Sequence, residues 1–372
     1  MSKEISMKWK INSLQYSTIL ALLIYIPILG IGTHSIINMA KNDAYLSTII
    51  TAILGIIILL LFNYIHSYDK NNSISTTIIN LYGKVLGTII NLLICSIFLI
   101  ISITYLYNLS NFITSQFLNQ TPSIIITISI TILIAYNLSK GFQNMSRVSL
   151  ILFTITLILY ILTFIFLMPH TDINKLKPLL SNNITSITKA GIHLTFTNIL
   201  PIFALLCIPK NNIKDNQKLN KYIIIFYIIA ISLCIIVITA TISTLGIYIT
   251  RMYQYPEYIT LKKVNLLGFI ERSENILSIQ WILGYFAAIS LFIYYISSTI
   301  KIKEDTPNNI ITIIILIVTV YLTRKIFKNN TMFNYYITNI FPYITMILLL
   351  VFVLMAITIF IKKRKIPMKC TL

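Results

Sequence analysis

The stretch "LGIGTHSI", residues 29–36, decides the fold. It interrupts an apolar run of membrane-spanning length with two glycines, a threonine and a histidine. Glycine inside a helix costs about 1 kcal/mol relative to alanine, so Gly30 and Gly32 weaken the helix here. Hydrocarbon offers no water to the freed N–H and C=O groups. Unwound backbone at that depth therefore persists only against protein or a water-filled cavity. Two readings stand side by side: a small-residue notch packed against a neighbouring helix, or a helix opened to hold a ligand at the positive end of its second half.

Composition narrows the setting. Of 372 residues, 57% are hydrophobic and 10% charged, with a mean hydropathy of +0.84. Soluble domains carry about 25% charged residues, so this is an integral membrane chain. A net charge of +19 would suggest nucleic acid in a soluble protein. Here the basic residues sit between apolar runs, where topology and anionic membrane lipid account for them, and no nucleic-acid partner is expected. Cys95, Cys207, Cys234 and Cys370 have no metal-ligand spacing, so no metal and no cofactor are expected. No nucleophile elbow, phosphate loop or His/carboxylate cluster is present, which argues against an enzyme. The basic N-terminus precedes an apolar run too long for a signal peptide and is expected to lead into an uncleaved first span.

About ten runs reach the roughly 20 apolar residues that a spanning helix needs. They lie near 13–39, 44–66, 78–112, 122–139, 146–168, 188–208, 219–249, 268–300, 308–327 and 335–362. With the N-terminus inside, inner segments hold 18 Lys and Arg and outer segments 10, which predicts both termini on the cytoplasmic side. The expected architecture is all-α, one membrane domain with no soluble domain. Its first repeat covers about 11–168 and its second about 188–362. Five spans per half, each half opening on a disrupted helix, is the pattern of an inverted 5+5 transporter repeat.

Three sets of residues carry the candidate chemistry. The first is Gly30, Gly32, Thr33 and His34. His34 reads either as a neutral imidazole bonded to a carbonyl near the break or as a proton relay. The second is the sixth span, where "TFTNILPIF" (195–203) brings Thr197, Asn198 and Pro201 together. Pro201 removes an intrahelical bond and frees a carbonyl near Thr197, giving either a plain kink or a second site. In the third span, Ser102 and Tyr105 are placed toward the bundle interior. "ERSE" supplies Glu271, Arg272 and Glu274 at the start of the eighth span, read as a capping and ion-pair cluster ahead of any ligand contact.

The ordered landmarks resemble the endospore germination permeases, the B subunits of nutrient germinant receptors. These are related to amino acid/polyamine/cation transporters. The resemblance runs from "LGIGTHSI" through "LYGKVLG" (81–87), "NQTPS" (119–123), "SKGFQNMSR" (139–147) and "INKLKPLL" (173–180) to "YPEY" (255–258), which contains Pro256. Its most specific part is "LLGFIERSENILSIQWILGYF" (266–286), with Trp281 downstream of the acidic pair. It implies a ten-helix, LeuT-like fold with broken first and sixth helices in the inner membrane of the spore. It also implies A-type and lipoprotein C-type partner subunits and a small nutrient ligand such as an amino acid, bound where Gly30 and Gly32 unwind the first helix. The alternative is a secondary transporter moving an amino acid or cation by alternating access. Asn38 stands where the family often has proline, and His34 replaces a small apolar residue.

Overall fold

The computed structural model describes residues 10–262, 274–300 and 309–365. The helices are α1 (Ser13–Tyr25), α2 (Gly32–Ala40), α3 (Ala44–His66), α4 (Ile74–Tyr82), α5 (Lys84–Gln116), α6 (Ser123–Ser139), α7 (Phe142–Leu167), α8 (Ile184–Leu194), α9 (Leu219–Leu245), α10 (Ile247–Met252), α11 (Pro256–Lys262), α12 (Glu274–Thr299), α13 (Asn309–Ile326), α14 (Asn330–Asn339) and α15 (Phe341–Lys365). Two-residue strands β1 (Ile11–Asn12) and β2 (Ile213–Lys214) pair in parallel and tie the foot of α1 to the start of the second half. Ser13 adds hydroxyl donation to the Lys214 carbonyl at 2.8 Å.

Among the described residues, eight helical stretches are long and apolar enough to cross a membrane. Ser13–Ile28 and Ser123–Ser139 are apolar but shorter. The ten expected spans are nevertheless recognisable. The stretch Gly32–His66 holds both the second half of the first span and the whole of the second, separated by a turn at Lys41–Asp43. At 17 residues α6 reaches about 26 Å, slightly less than a bilayer core. Besides the expected breaks in the first and sixth, three expected spans are divided in the structure, the seventh (219–249) at Gly246 between α9 and α10. The third splits at Gly83, whose φ of +83° ends α4 and starts α5, and the tenth splits between α14 and α15.

Burial sorts the helices into centre and rim. Every residue from Tyr16 to Gly30 is buried, which fits a segment that is apolar on all sides. The broken stretch Ile184–Cys207 has 89% of its most apolar part buried, against 28% for Phe142–His170, Asn309–Ile326 and Asn330–Arg364. The first and sixth spans therefore form the centre, with α12 and α5 beside them. Fully buried aromatics knit that centre. Trp281 of α12 lies 3.7 Å, centroid to centroid, from Phe112 of α5, and Tyr285 meets Tyr105 edge-on at 5.1 Å.

One polar clamp fixes the end of the molecule beyond α2. Asp43, fully buried, accepts from the Leu180 amide at 2.7 Å, the Asn182 amide at 3.0 Å and the Asn182 side chain at 2.9 Å. Asn182 also donates to the Ala40 carbonyl at 2.9 Å. The loop after the fifth span is thereby bound to the corner between α2 and α3.

Gly191 is where α8 crosses α3 most closely. A Cβ there would sit 2.9 Å from the Ser47 carbonyl and 2.8 Å from Ile50, while Thr51 donates to the Gly191 carbonyl at 2.9 Å. Backbone cannot yield as a side chain can. Gly191→Val is therefore expected to cost about 1–3 kcal/mol through overpacking, seen as a lower thermal midpoint of the detergent-solubilised chain.

Candidate functional site

The site is built around one peptide. After α1, Ile26–Ile28 tightens into a 3-10 turn containing Pro27, Leu29 is extended, and Gly30 has a φ of +77°. Helical pairing resumes only at Gly32. The Leu29 carbonyl accepts three donors: Trp281 Nε1 at 3.0 Å, the Tyr285 hydroxyl at 3.1 Å and Asn108 Nδ2 at 3.3 Å. The Gly30 amide donates to Glu257 Oε1 at 3.2 Å. Thr33 closes the turn by donating to the Ile28 carbonyl at 2.9 Å. A Cβ on Gly30 would meet Trp281 at 2.9 Å, Tyr255 at 3.0 Å and Asn108 at 3.1 Å. Glycine is required here twice over, for its backbone angle and for its lack of bulk.

The sixth span loosens opposite. Its α8 passes into a π-helical turn, Thr195–Ile199, and then a 3-10 stretch, Leu200–Cys207, with Pro201 near its start. Asn198 Nδ2 donates to the Ile24 carbonyl at 3.1 Å, joining the two disrupted segments directly. Thr197 donates to Asn198 Oδ1 at 2.9 Å and orients that amide.

The sequence candidates separate by position. Gly30, Gly32 and Thr33 lie at the break, with Asn198 and Thr197 one step away at the end of α1. Trp281, singled out as part of a motif, proves to be a direct donor to the break. Tyr105 stands behind Tyr285, its buried hydroxyl without a partner. Ser102 is a turn further along α5 and bonds only the Phe98 carbonyl of its own helix. His34 is turned toward the connector between α9 and α12. Its Nδ1 lies 3.4 Å from the Tyr253 carbonyl and its Nε2 3.3 Å from Asn38 Nδ2, the pattern of an Nδ1–H tautomer. The carbonyl it meets thus belongs to that connector and not to the break. Arg251 reaches the same group through Asn38 at 3.3 Å. Glu274 is the buried first residue of α12, while Glu271 and Arg272 lie outside the described residues.

Sequence reasoning missed Glu257, Asn108, Tyr255, Tyr285 and Gln280. Glu257 had a usable signal. It is one of only ten acidic residues and follows Pro256 within a quoted motif. In the structure it sits on α11, part of the connector between two spans, 4% exposed. Gln280 accepts from the Tyr25 hydroxyl at 2.9 Å and fixes α12 to the end of α1.

Burial pushes the Glu257 carboxyl up from 4.5 to about 7, opposed in part by the nearby Thr33 hydroxyl and by the Gly30 amide. The folded chain then holds a proton that the unfolded chain releases, so stability falls as pH rises from about 4.5 to about 7. The thermal midpoint is expected to drop across that interval, and Glu257→Gln to flatten the drop. Gly30→Ala is expected to cost at least about 1 kcal/mol from its left-handed backbone angle alone, read as a lower midpoint than that of the native chain.

Comparison with known proteins places this architecture. Residues 13–302 match the family described as spore germination protein. The chain is 24% identical to spore germination protein XB of Bacillus anthracis, over 92% of this chain and 97% of that one. It is 22% identical to spore germination protein KB of Bacillus subtilis, over 78% and 79%. Among solved structures it resembles a Na+-coupled sialic acid symporter, with a TM-score of 0.65 at 13% identity, covering 94% of this chain and 82% of the symporter. A manganese transporter of Eremococcus coleocola gives 0.62 at 14% identity, covering 93% and 80%. The fold is that of the LeuT-like transporters, and the chain belongs to the spore germination protein family.

Proposed function

We propose that the chain is the B-type subunit of a spore nutrient receptor and binds a small nutrient at the Leu29–Gly30 break. The observation that carries this reading is the convergence of three elements on one unwound peptide. Donors from α5 and α12 take its carbonyl and a carboxylate from α11 takes its amide, while Asn198 ties the sixth span to the Ile24 carbonyl in α1 just before the break. A ligand entering here exchanges polar contacts with elements that otherwise hold each other. It shifts the protein between two arrangements to the extent that it binds one more tightly. Trp281, Tyr255 and Asn108 pack directly around Gly30, so a ligand reaching this peptide must displace some of that packing.

The reading includes A-type and lipoprotein C-type partner subunits, the inner membrane of the spore, and cytoplasmic termini. It assigns recognition and signalling in place of catalysis. Spores lacking the gene should lose the response to one nutrient class and keep the response to others. Trp281→Phe keeps the ring and removes the Nε1 donor. It is expected to move the nutrient concentration for half-maximal germination by about threefold to tenfold, since a hydrogen bond to a buried carbonyl is worth about 0.5–1.5 kcal/mol and Tyr285 and Asn108 still hold that carbonyl. Unchanged sensitivity in Trp281→Phe spores, with normal protein level, would place the nutrient elsewhere. Solute uptake by this chain alone in vesicles would favour the transporter reading.

A further inference from the structure

The Glu257 carboxylate is only half used. Oε1 takes the Gly30 amide, while Oε2 is buried with no hydrogen-bond partner. No lysine or arginine among the described residues acts on it. Below about pH 7 a proton can answer this oxygen, but once the carboxyl ionises it is a buried charge without donor or counter-charge, which proteins rarely leave so. Glu257 also lines a cavity of about 30 Å³ between α7, α9, α11 and α12. The hydroxyl-bearing residues Tyr160, Thr163 and Thr241 lie on its wall, and Phe164, Val237 and Leu277 supply apolar surface. Tyr160 and Thr163 already spend their hydroxyl protons on the Leu233 and Leu159 carbonyls, so both oxygens act only as acceptors, that of Thr163 also taking Gln280 Nε2 at 3.5 Å.

We infer that this cavity is an ammonium-recognition site in which Glu257 supplies the counter-charge, so that the ligand of this chain is a small primary ammonium compound. The geometry favours this class on three grounds. Its size suits one ammonium head, comparable with a water molecule. Acceptors outnumber donors, which suits a group with three N–H and no lone pair. One carboxylate among hydroxyls and apolar side chains is a poor site for a divalent ion, which needs several oxygen ligands. Glu257 already takes the Gly30 amide ahead of α2, so a ligand carboxylate is not required there, and an amine without one is accommodated.

The inference deepens the nutrient-site reading by naming the ligand's head group. It is tested on the purified full chain in detergent, apart from any germination response. Thermal midpoints are measured against methylammonium chloride, with tetramethylammonium chloride and sodium acetate as controls. A ligand bound to the folded state alone raises the midpoint saturably. Methylammonium should do so, whereas tetramethylammonium, which has no N–H, and acetate should not. Glu257→Gln should raise the half-saturating methylammonium concentration at least tenfold. Thr241→Val, which leaves the Gly30 contact untouched, should raise it severalfold and covers the case that Glu257→Gln does not fold. No shift with methylammonium, an equal shift in both variants, or a shift with acetate in its place would overturn the assignment. If methylammonium binds as stated but Glu257→Gln spores germinate with native sensitivity, the nutrient-site reading fails and the ammonium site stands.

Discussion

The peptide joining Leu29 to Gly30 is the constraint on which the rest of the molecule depends. Its carbonyl and amide are cut out of the helix at a depth where water is absent, and each orphaned group would cost about 1–3 kcal/mol. The protein meets that demand from outside the helix. Trp281 and Tyr285 come one turn apart on α12, Asn108 comes from α5, and Glu257 from α11. Because the donors belong to separate elements, satisfying the break also fixes where those elements stand. The break is thus a point of reference for the bundle as well as a weakness in one helix.

The sixth span reaches the same centre by a different route. It keeps its chain direction and changes its winding, first wider in a π turn and then tighter in a 3-10 stretch. No carbonyl there gathers three side-chain donors, and its main polar act is to donate, through Asn198, to the last turn of α1. The two disrupted spans are therefore not equivalent: the first presents backbone to the other elements, and the sixth presents a side chain to the first.

Much of this was legible in the sequence, for reasons that particular residues make plain. Span count, the two disruptions and the membrane setting follow from apolar run length and from the glycines and prolines that break it. Gly30 was readable because a positive φ leaves a signature in residue type. The partners of the break were not readable in the same way. Asn108 is one of three asparagines in α5 and Tyr285 one of three tyrosines in α12, and nothing in their own stretch distinguishes them from the others. Glu257 lies 227 residues from the amide it meets, a pairing that only the fold creates. The split of the tenth span at Ile340 has no glycine beside it and only Pro342 to mark it, and the run reads as continuous by hydropathy.

The clamp at Asp43 has a mechanical meaning. Because one carboxylate holds both Leu180 and Asn182, and Asn182 also holds the end of α2, the second half of the first span cannot tilt as an isolated rod. Any swing about the Gly30 hinge drags the loop after the fifth span with it. Movement at a buried hinge is thus converted into displacement of an exposed loop at the end of the molecule.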